Sequence, residues 1–359
     1  MPGTPARDSA AAIDASCRWP LVLLLGGATV WLLFRSVLGI LAAIQLHAPG
    51  FLAGSAWLTV GRLRPAAMNA LVYGFATQAS LGVLLWMMAR LGRGRLLYPG
   101  AVFVAGLLWN LGVKLGVLGI LAVGPTGFEW LEMPRFVTPL LLLAFVLVAI
   151  GALLNFALRR EPTTYVSQWY LVAGLFWFAW VYSVASYLLL FDPVRGVLQA
   201  AVNAWFTSNL LGLWLTSIGL AVVFYFVPRL TGRPLQNYWL AVFGFWTLAL
   251  FGSWNGLIPF IGGPLPRWMV SASVVANGML VVSVVAVAWN WHLTLAGGYS
   301  RLKSDWVLRF VLTGAAAYLV ASLVGCLLGL KSVAAITQLT LVPVARTQLA
   351  LHGFVGLTL

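Results

Sequence analysis

The chain has 359 residues and a formal net charge of +14, yet only 8% of it is charged and 62% is hydrophobic. A soluble domain carries about a quarter charged residues, so this composition excludes a water-soluble globular protein, and a mean hydropathy of +0.98 makes hydrocarbon the fitting solvent. The positive balance is no nucleic-acid footprint, because the cations sit in short loops between apolar runs, where they act as topology signals.

From the N-terminus, Met1 to Arg18 is polar and rich in small residues, without the short apolar core of a cleavable signal peptide. Residues 1–18 are read as a polar tail and 19–359 as a single transmembrane helical domain, its first helix serving as a signal anchor. A spanning helix needs about 20 mostly apolar residues. Ten runs qualify: 20–46, 67–90, 97–123, 136–158, 166–191, 196–228, 238–261, 268–295, 307–330 and 339–359. Most linkers are short and contain Arg, Gly or Pro, so neighbouring helices are expected to pack antiparallel.

Basic residues give an orientation. The N-terminus and the loops after even-numbered runs hold Arg7, Arg18, Arg90, Arg93, Arg95, Arg159, Arg160, Arg229, Arg233, Arg301, Lys303 and Arg309. The loops after odd-numbered runs hold Arg62, Arg64, Arg135, Arg195, Arg267 and Lys331. Twelve against six places the N-terminus in the cytoplasm. Cys17 and Cys326 have no partner at metal-ligand spacing. Arg35, Lys114 and Arg346 fall inside spans, and no span offers a facing carboxylate, which argues against a pump or proton-coupled carrier.

Several strings resemble subunit I of the haem-copper oxidases, specifically the cbb-type (C-family) cytochrome c oxidases. Gly61-Arg62-Leu63-Arg64-Pro65 stands before the second run, Gly127 to Pro134 reads G-F-E-W-L-E-M-P, and Tyr165 to Tyr170 opens the fifth run. Tyr225-Phe226-Val227-Pro228 with Gly232-Arg233-Pro234-Leu235 closes the sixth, and Gly263 to Trp268 enters the eighth. The likeness runs from about residue 45 to the C-terminus, and order and spacing carry it. It implies an all-α integral membrane bundle of about ten helices in place of the usual twelve, and a family chemistry of O₂ reduction at a haem–copper pair with proton translocation.

That chemistry depends on six histidines, imidazole being the neutral ligand that suits both haem iron and copper. Carried across one at a time, the low-spin haem ligand falls on Ala67 and the first copper ligand on Ser208. The adjacent copper pair falls on Ile258 and Pro259, and the H-x-H of the last helix on Arg346 and Gln348. The redox tyrosine falls on Gly252. His47, His292 and His352 are the chain's histidines, too few for two haems and a three-histidine copper.

The resemblance therefore implies a degenerate homologue, non-catalytic by itself, without haem or copper. It would act as a structural or docking subunit of a respiratory electron-transfer complex in the bacterial cytoplasmic membrane, beside subunits such as a membrane-anchored cytochrome c, with the lipid bilayer as solvent. Two other readings stay open. The chain could be a haem-binding oxidoreductase subunit like those of cytochrome c oxidases or nitric oxide reductases, with His352, four residues past Gln348, as a displaced haem b ligand opposite Met68, or His352 could be a packing histidine. Arg346 with Gln348 could bind an anion or a quinone head group in a vacated cavity, or Arg346 could snorkel. Trp19, Trp57, Trp130, Trp268 and Trp306 read as an interfacial belt. Trp109, Trp205, Trp214, Trp246, Phe176, Trp177, Phe178 and Trp180 read as interior filling. Glu129 and Glu132 are the acidic cluster outside the tail, either a solvated loop or a cation or partner site.

Overall fold

The computed structural model describes residues 8–359, which form helices joined by turns and loops, with no strand among them. Eight helices are long and apolar enough to cross a bilayer. They are α1 (Ala10–His47), α2 (Val60–Gly92), α3 (Pro99–Ala122), α4 (Val137–Ala157), α5 (Val166–Phe191) and α6 (Val197–Thr231), then, after the shorter α7 (Tyr238–Gly252), α8 (Arg267–Leu295) and α9 (Trp306–Leu328). A short α10 (Lys331–Thr337) leads into α11 over residues 342–358. The protein is an all-α, multi-pass integral membrane protein. Helices are the solution because hydrocarbon offers no partner to a backbone N–H or C=O, and a helix satisfies both within itself.

Two expected boundaries move. α1 begins at Ala10, inside the stretch read as a tail, because Ser9 caps it by accepting from the Ala12 amide at 3.2 Å. Arg7, part of the charge tally, lies outside the described residues. The expected run 238–261 stops as a helix at Gly252. The chain then turns through Asn255 and a Gly256 at φ +130°, and only a 3₁₀ turn, Ile258–Phe260, follows.

The Cα packing forms two compact units, residues 1–163 with 182–193, and residues 164–181 with 194–359. In the first unit α2 is the central helix: 89% of its most apolar window is buried, against 22% for α1. Its middle, Ala70–Thr77, is wound as a π-helix, a register that leaves backbone carbonyls for outside donors. Trp109 of α3 takes one, donating to the Tyr73 carbonyl at 3.0 Å. Gly74 lets α1 close in, since a β-carbon there would lie 2.6 Å from Cγ of Trp31. At one end, ion pairs of Asp8 with Arg95 and Arg160, and of Asp14 with Arg90, gather the start of α1 and the turns after α2 and α4.

In the second unit α6 plays the central part, again 89% buried over its window. Arg301 donates to the Leu230 carbonyl at 2.8 Å, and Arg233 donates to that of Ala296, which joins the turns after α6 and α8. Trp109, Trp214 and Phe178 are buried, as interior filling requires. Trp246, Phe176 and Trp180 instead face outward, at 55%, 64% and 38% exposure. Trp130, expected in the interfacial belt, is fully buried, while Trp19, Trp57, Trp268 and Trp306 are exposed.

Overpacking a close helix contact costs about 1–3 kcal/mol. Gly74→Ala is expected to lower the thermal unfolding midpoint of the detergent-solubilised protein accordingly, and Trp31→Ala in the same chain should recover part of the loss.

Candidate functional site

The positions to which the resemblance assigns metal ligands fall at comparable places in their helices. Ala67 stands just before the π-helical stretch of α2, Ser208 just before Leu210–Leu215 of α6, and Gln348 directly before Leu349–Val355 of α11. Such stretches recur where a helix re-aims its side chains toward a site. The side chains now there are a methyl, a hydroxyl and a carboxamide, with Ile258, Pro259 and Arg346 at the other three. None is an imidazole, thiolate or thioether, the donors that suit haem iron and copper. Among the described residues no three His, Cys, Asp or Glu side chains gather where they could hold a metal ion.

Within the second unit the structure brings some of these positions together. Gly256 lies against Trp205 and Ser208, so the turn carrying Ile258 and Pro259 folds over that part of α6. Ile258 is half-buried and Pro259 exposed. Gly252 is buried, and a β-carbon on it would lie 2.6 Å from Cδ2 of Leu213, so Leu213 occupies the space any larger side chain at 252 would need. Arg346, half-buried, donates through Nε to the Ala321 carbonyl at 3.1 Å, and its guanidinium lies against Gly325. His352 is half-buried, with Nδ1 3.2 Å from the Gln348 carbonyl, a contact within its own helix. Met68, half-buried on α2, belongs to the first unit and His352 to the second. His292 places Nδ1 2.9 Å from the Tyr299 hydroxyl at the end of α8.

Sequence reasoning missed a chain of buried asparagines here. Asn209 of α6 donates to the Trp205 carbonyl at 2.7 Å and the Asn255 carbonyl at 3.4 Å. Asn255 donates to Oδ1 of Asn277 at 3.2 Å, and Asn277 of α8 donates to the Gly325 carbonyl of α9 at 2.9 Å. The Asn255 carboxamide also accepts from the Gly256 amide at 2.8 Å. The signal was available: an asparagine inside an apolar run has to find a partner within the protein. Asn277→Leu would leave the Gly325 carbonyl and the Asn255 amide without these partners. It is expected to cost about 1–3 kcal/mol, read as a lowered unfolding midpoint.

In the first unit the acidic cluster departs from a solvated loop. Glu132 is 9% exposed and accepts from Nδ2 of Asn69 at 2.5 Å. The surrounding turn is held by Thr126, whose hydroxyl donates to the Leu131 carbonyl at 2.8 Å, and by Tyr73, whose hydroxyl donates to the Trp130 carbonyl at 2.6 Å. Trp130 sits at φ +63°, pinned by that bond. Burial pushes the Glu132 carboxyl up to about 7, with the Asn69 hydrogen bond opposing, and burial also raises Glu129 against the pull of Arg64. An unfolded carboxyl titrates near 4.5. The folded state therefore holds more protons between about 4.5 and about 7, and stability falls as pH rises through that window and levels off above it. Glu132→Gln is expected to flatten the slope, an effect at most on the order of 3 kcal/mol, in thermal unfolding from pH 5 to 8.

Residues 20–359 match the family described as Cytochrome C and Quinol oxidase polypeptide I. The chain is 26% identical over 325 residues to the cytochrome c oxidase subunit 1 homolog of Azorhizobium caulinodans, covering 87% of this chain and 58% of that protein. It is 26% identical over 321 residues to the Cbb3-type cytochrome c oxidase subunit CcoN1 of Stutzerimonas stutzeri, covering 87% and 67%. To the bacteroid cytochrome c oxidase subunit 1 homolog of Bradyrhizobium diazoefficiens it is 24% identical over 343 residues, covering 92% and 61%. The chain thus spans about three fifths of the length of these relatives.

Proposed function

Since the chain belongs to the cytochrome c and quinol oxidase polypeptide I family, we propose that it is a haem-free and copper-free relative of the cbb-type subunit I, serving as a structural and docking subunit of a respiratory electron-transfer complex. Its setting in this reading is the bacterial cytoplasmic membrane, N-terminus inside, beside partners such as a membrane-anchored cytochrome c. One observation carries the proposal. All six positions to which the resemblance carries the family's histidine ligands hold other residues, and one of them is a cation, Arg346, folded onto α9. A guanidinium stays protonated and has no lone pair to offer a metal. Close packing of Leu213 against Gly252 and of Phe354 against Gly219 in the second unit is compatible with this reading. An open cavity there would cost energy in proportion to its volume.

A second reading has its own observation. The Arg346 guanidinium makes a carbonyl contact, and no carboxylate ion-pairs with it among the described residues. A buried cation held this way suits an anion or the carbonyl of a quinone head group, with Gln348 as a further donor.

Reduced-minus-oxidised spectra and a pyridine haemochrome assay on the purified protein are expected to show no haem, and elemental analysis no copper. Stoichiometric haem would overturn the proposal, and its loss on His352→Ala would identify a displaced ligand. Mild-detergent purification should bring down respiratory subunits; a stable monomer recovered alone would count against docking. Saturable binding of a quinone analogue, abolished by Arg346→Gln, would move the assignment to the second reading.

A further inference from the structure

Where α2 and α4 end in the first unit, the chain forms a partly open pocket of about 120 Å³. A single buried water needs only ~10–15 Å³. The lining combines two chemistries: Met88, Leu97 and Leu158 are apolar, and Arg95, Arg159 and Arg160 are basic. The walls are built by the backbone and one buried carboxamide. The Gly92 carbonyl at the end of α2 accepts from the Arg160 amide at 2.8 Å and the Glu161 amide at 3.3 Å, which folds the turn after α4 onto α2. Asn155, itself buried, accepts from the Leu97 amide at 3.2 Å and donates to the Gly151 carbonyl at 2.8 Å, which fixes the strand of chain leading to α3.

The charges at this end do not balance. Arg90, Arg93, Arg95, Arg159 and Arg160 meet three carboxylates among the described residues. Asp14 pairs with Arg90 at 2.9 Å and Glu161 with Arg93 at 3.1 Å. Asp8 is shared, 3.6 Å from Nε of Arg95 and 3.0 Å from Arg160. Five arginines thus stand near three carboxylates, and three of the arginines, Arg95, Arg159 and Arg160, line the pocket. Arg159 is held in place by donating to the Phe156 carbonyl at 2.9 Å with its guanidinium 4.4 Å from the Phe156 ring.

Guanidinium groups bind phosphate oxygens through paired, charge-assisted hydrogen bonds, and their weak hydration makes this favourable in partly buried sites. Basic pockets among membrane helices take acidic lipid headgroups by the same chemistry. We propose that this cavity is a phosphate-anion site of the first unit. The apolar residues in its lining favour the phosphate of an acidic phospholipid, whose acyl chains they can contact, as the source. The site is separate from the positions discussed above and does not depend on whether a cofactor is bound.

The test uses the full chain, delipidated in an uncharged detergent and examined by native mass spectrometry and thermal unfolding. Phosphatidylglycerol is expected to leave one retained adduct and to raise the unfolding midpoint, with phosphatidylcholine much weaker because its choline cation meets the arginines. In the Arg159→Gln, Arg160→Gln double variant the apparent affinity for phosphatidylglycerol should drop roughly tenfold or more. Arg159→Lys, which keeps the charge but loses the paired donors, should retain part of it, and an unfolding midpoint of the lipid-free variants close to that of the unsubstituted chain controls for misfolding. Stabilisation by millimolar inorganic phosphate alone, lost in the same variant, would support the anion site and assign it to a soluble phosphate. Equal binding of phosphatidylglycerol and phosphatidylcholine, or unchanged binding in the double variant, would overturn the proposal.

Discussion

Hydrocarbon makes no hydrogen bonds, and several interruptions of helices among the described residues are answered by the chain's own side chains. The break after α7 shows the dependence most fully. At 15 residues α7 is shorter than the ~20 a span needs, and the chain leaves it as irregular backbone. Asn255 takes up the Gly256 amide, Ser273 takes up the Leu257 amide at 3.0 Å, and Asn209 and Asn277 anchor Asn255 from either side. In the first unit, the π-helical middle of α2 is answered by Trp109, and the turn before α4 by Tyr73. These few polar contacts hold together what the apolar surface alone leaves free to slide, because packing between helices in lipid lacks the hydrophobic drive it has in water.

Much of this architecture is legible in the sequence, for a physical reason. A span is declared by twenty apolar residues in a row, and a cytoplasmic loop by its arginines, so helix count and alternation follow from composition. Tyr238–Gly252 came out shorter than its apolar run because hydropathy does not register that Gly252, Asn255 and Gly256 prefer to turn. Glu132 was misplaced for a related reason. A carboxylate between Trp130 and Pro134 reads as loop, and only the arrival of Asn69, far away in sequence, makes its burial tolerable. Trp130 went the same way, its ring drawn inward once Tyr73 fixed its carbonyl. The π-helical stretches are invisible to periodicity altogether, since they alter which residues share a face without altering how apolar they are.

The candidate site was legible in a different manner. The family strings lie mostly at helix entries and turns, where Gly, Pro and Arg are dictated by backbone geometry and topology. They mark a scaffold. The fold therefore rests on turn chemistry and hydropathy, whereas the proposed function rests on six individual positions. Arg346, one of them, is held by a carbonyl of α9 and a glycine that gives it room.

The packing of Leu213 against Gly252 couples two positions. A larger residue at 252 is excluded while Leu213 keeps its present rotamer, and a smaller residue at 213 would open a void while 252 remains glycine. Each change is unfavourable without the other, so the two positions can vary only as a pair.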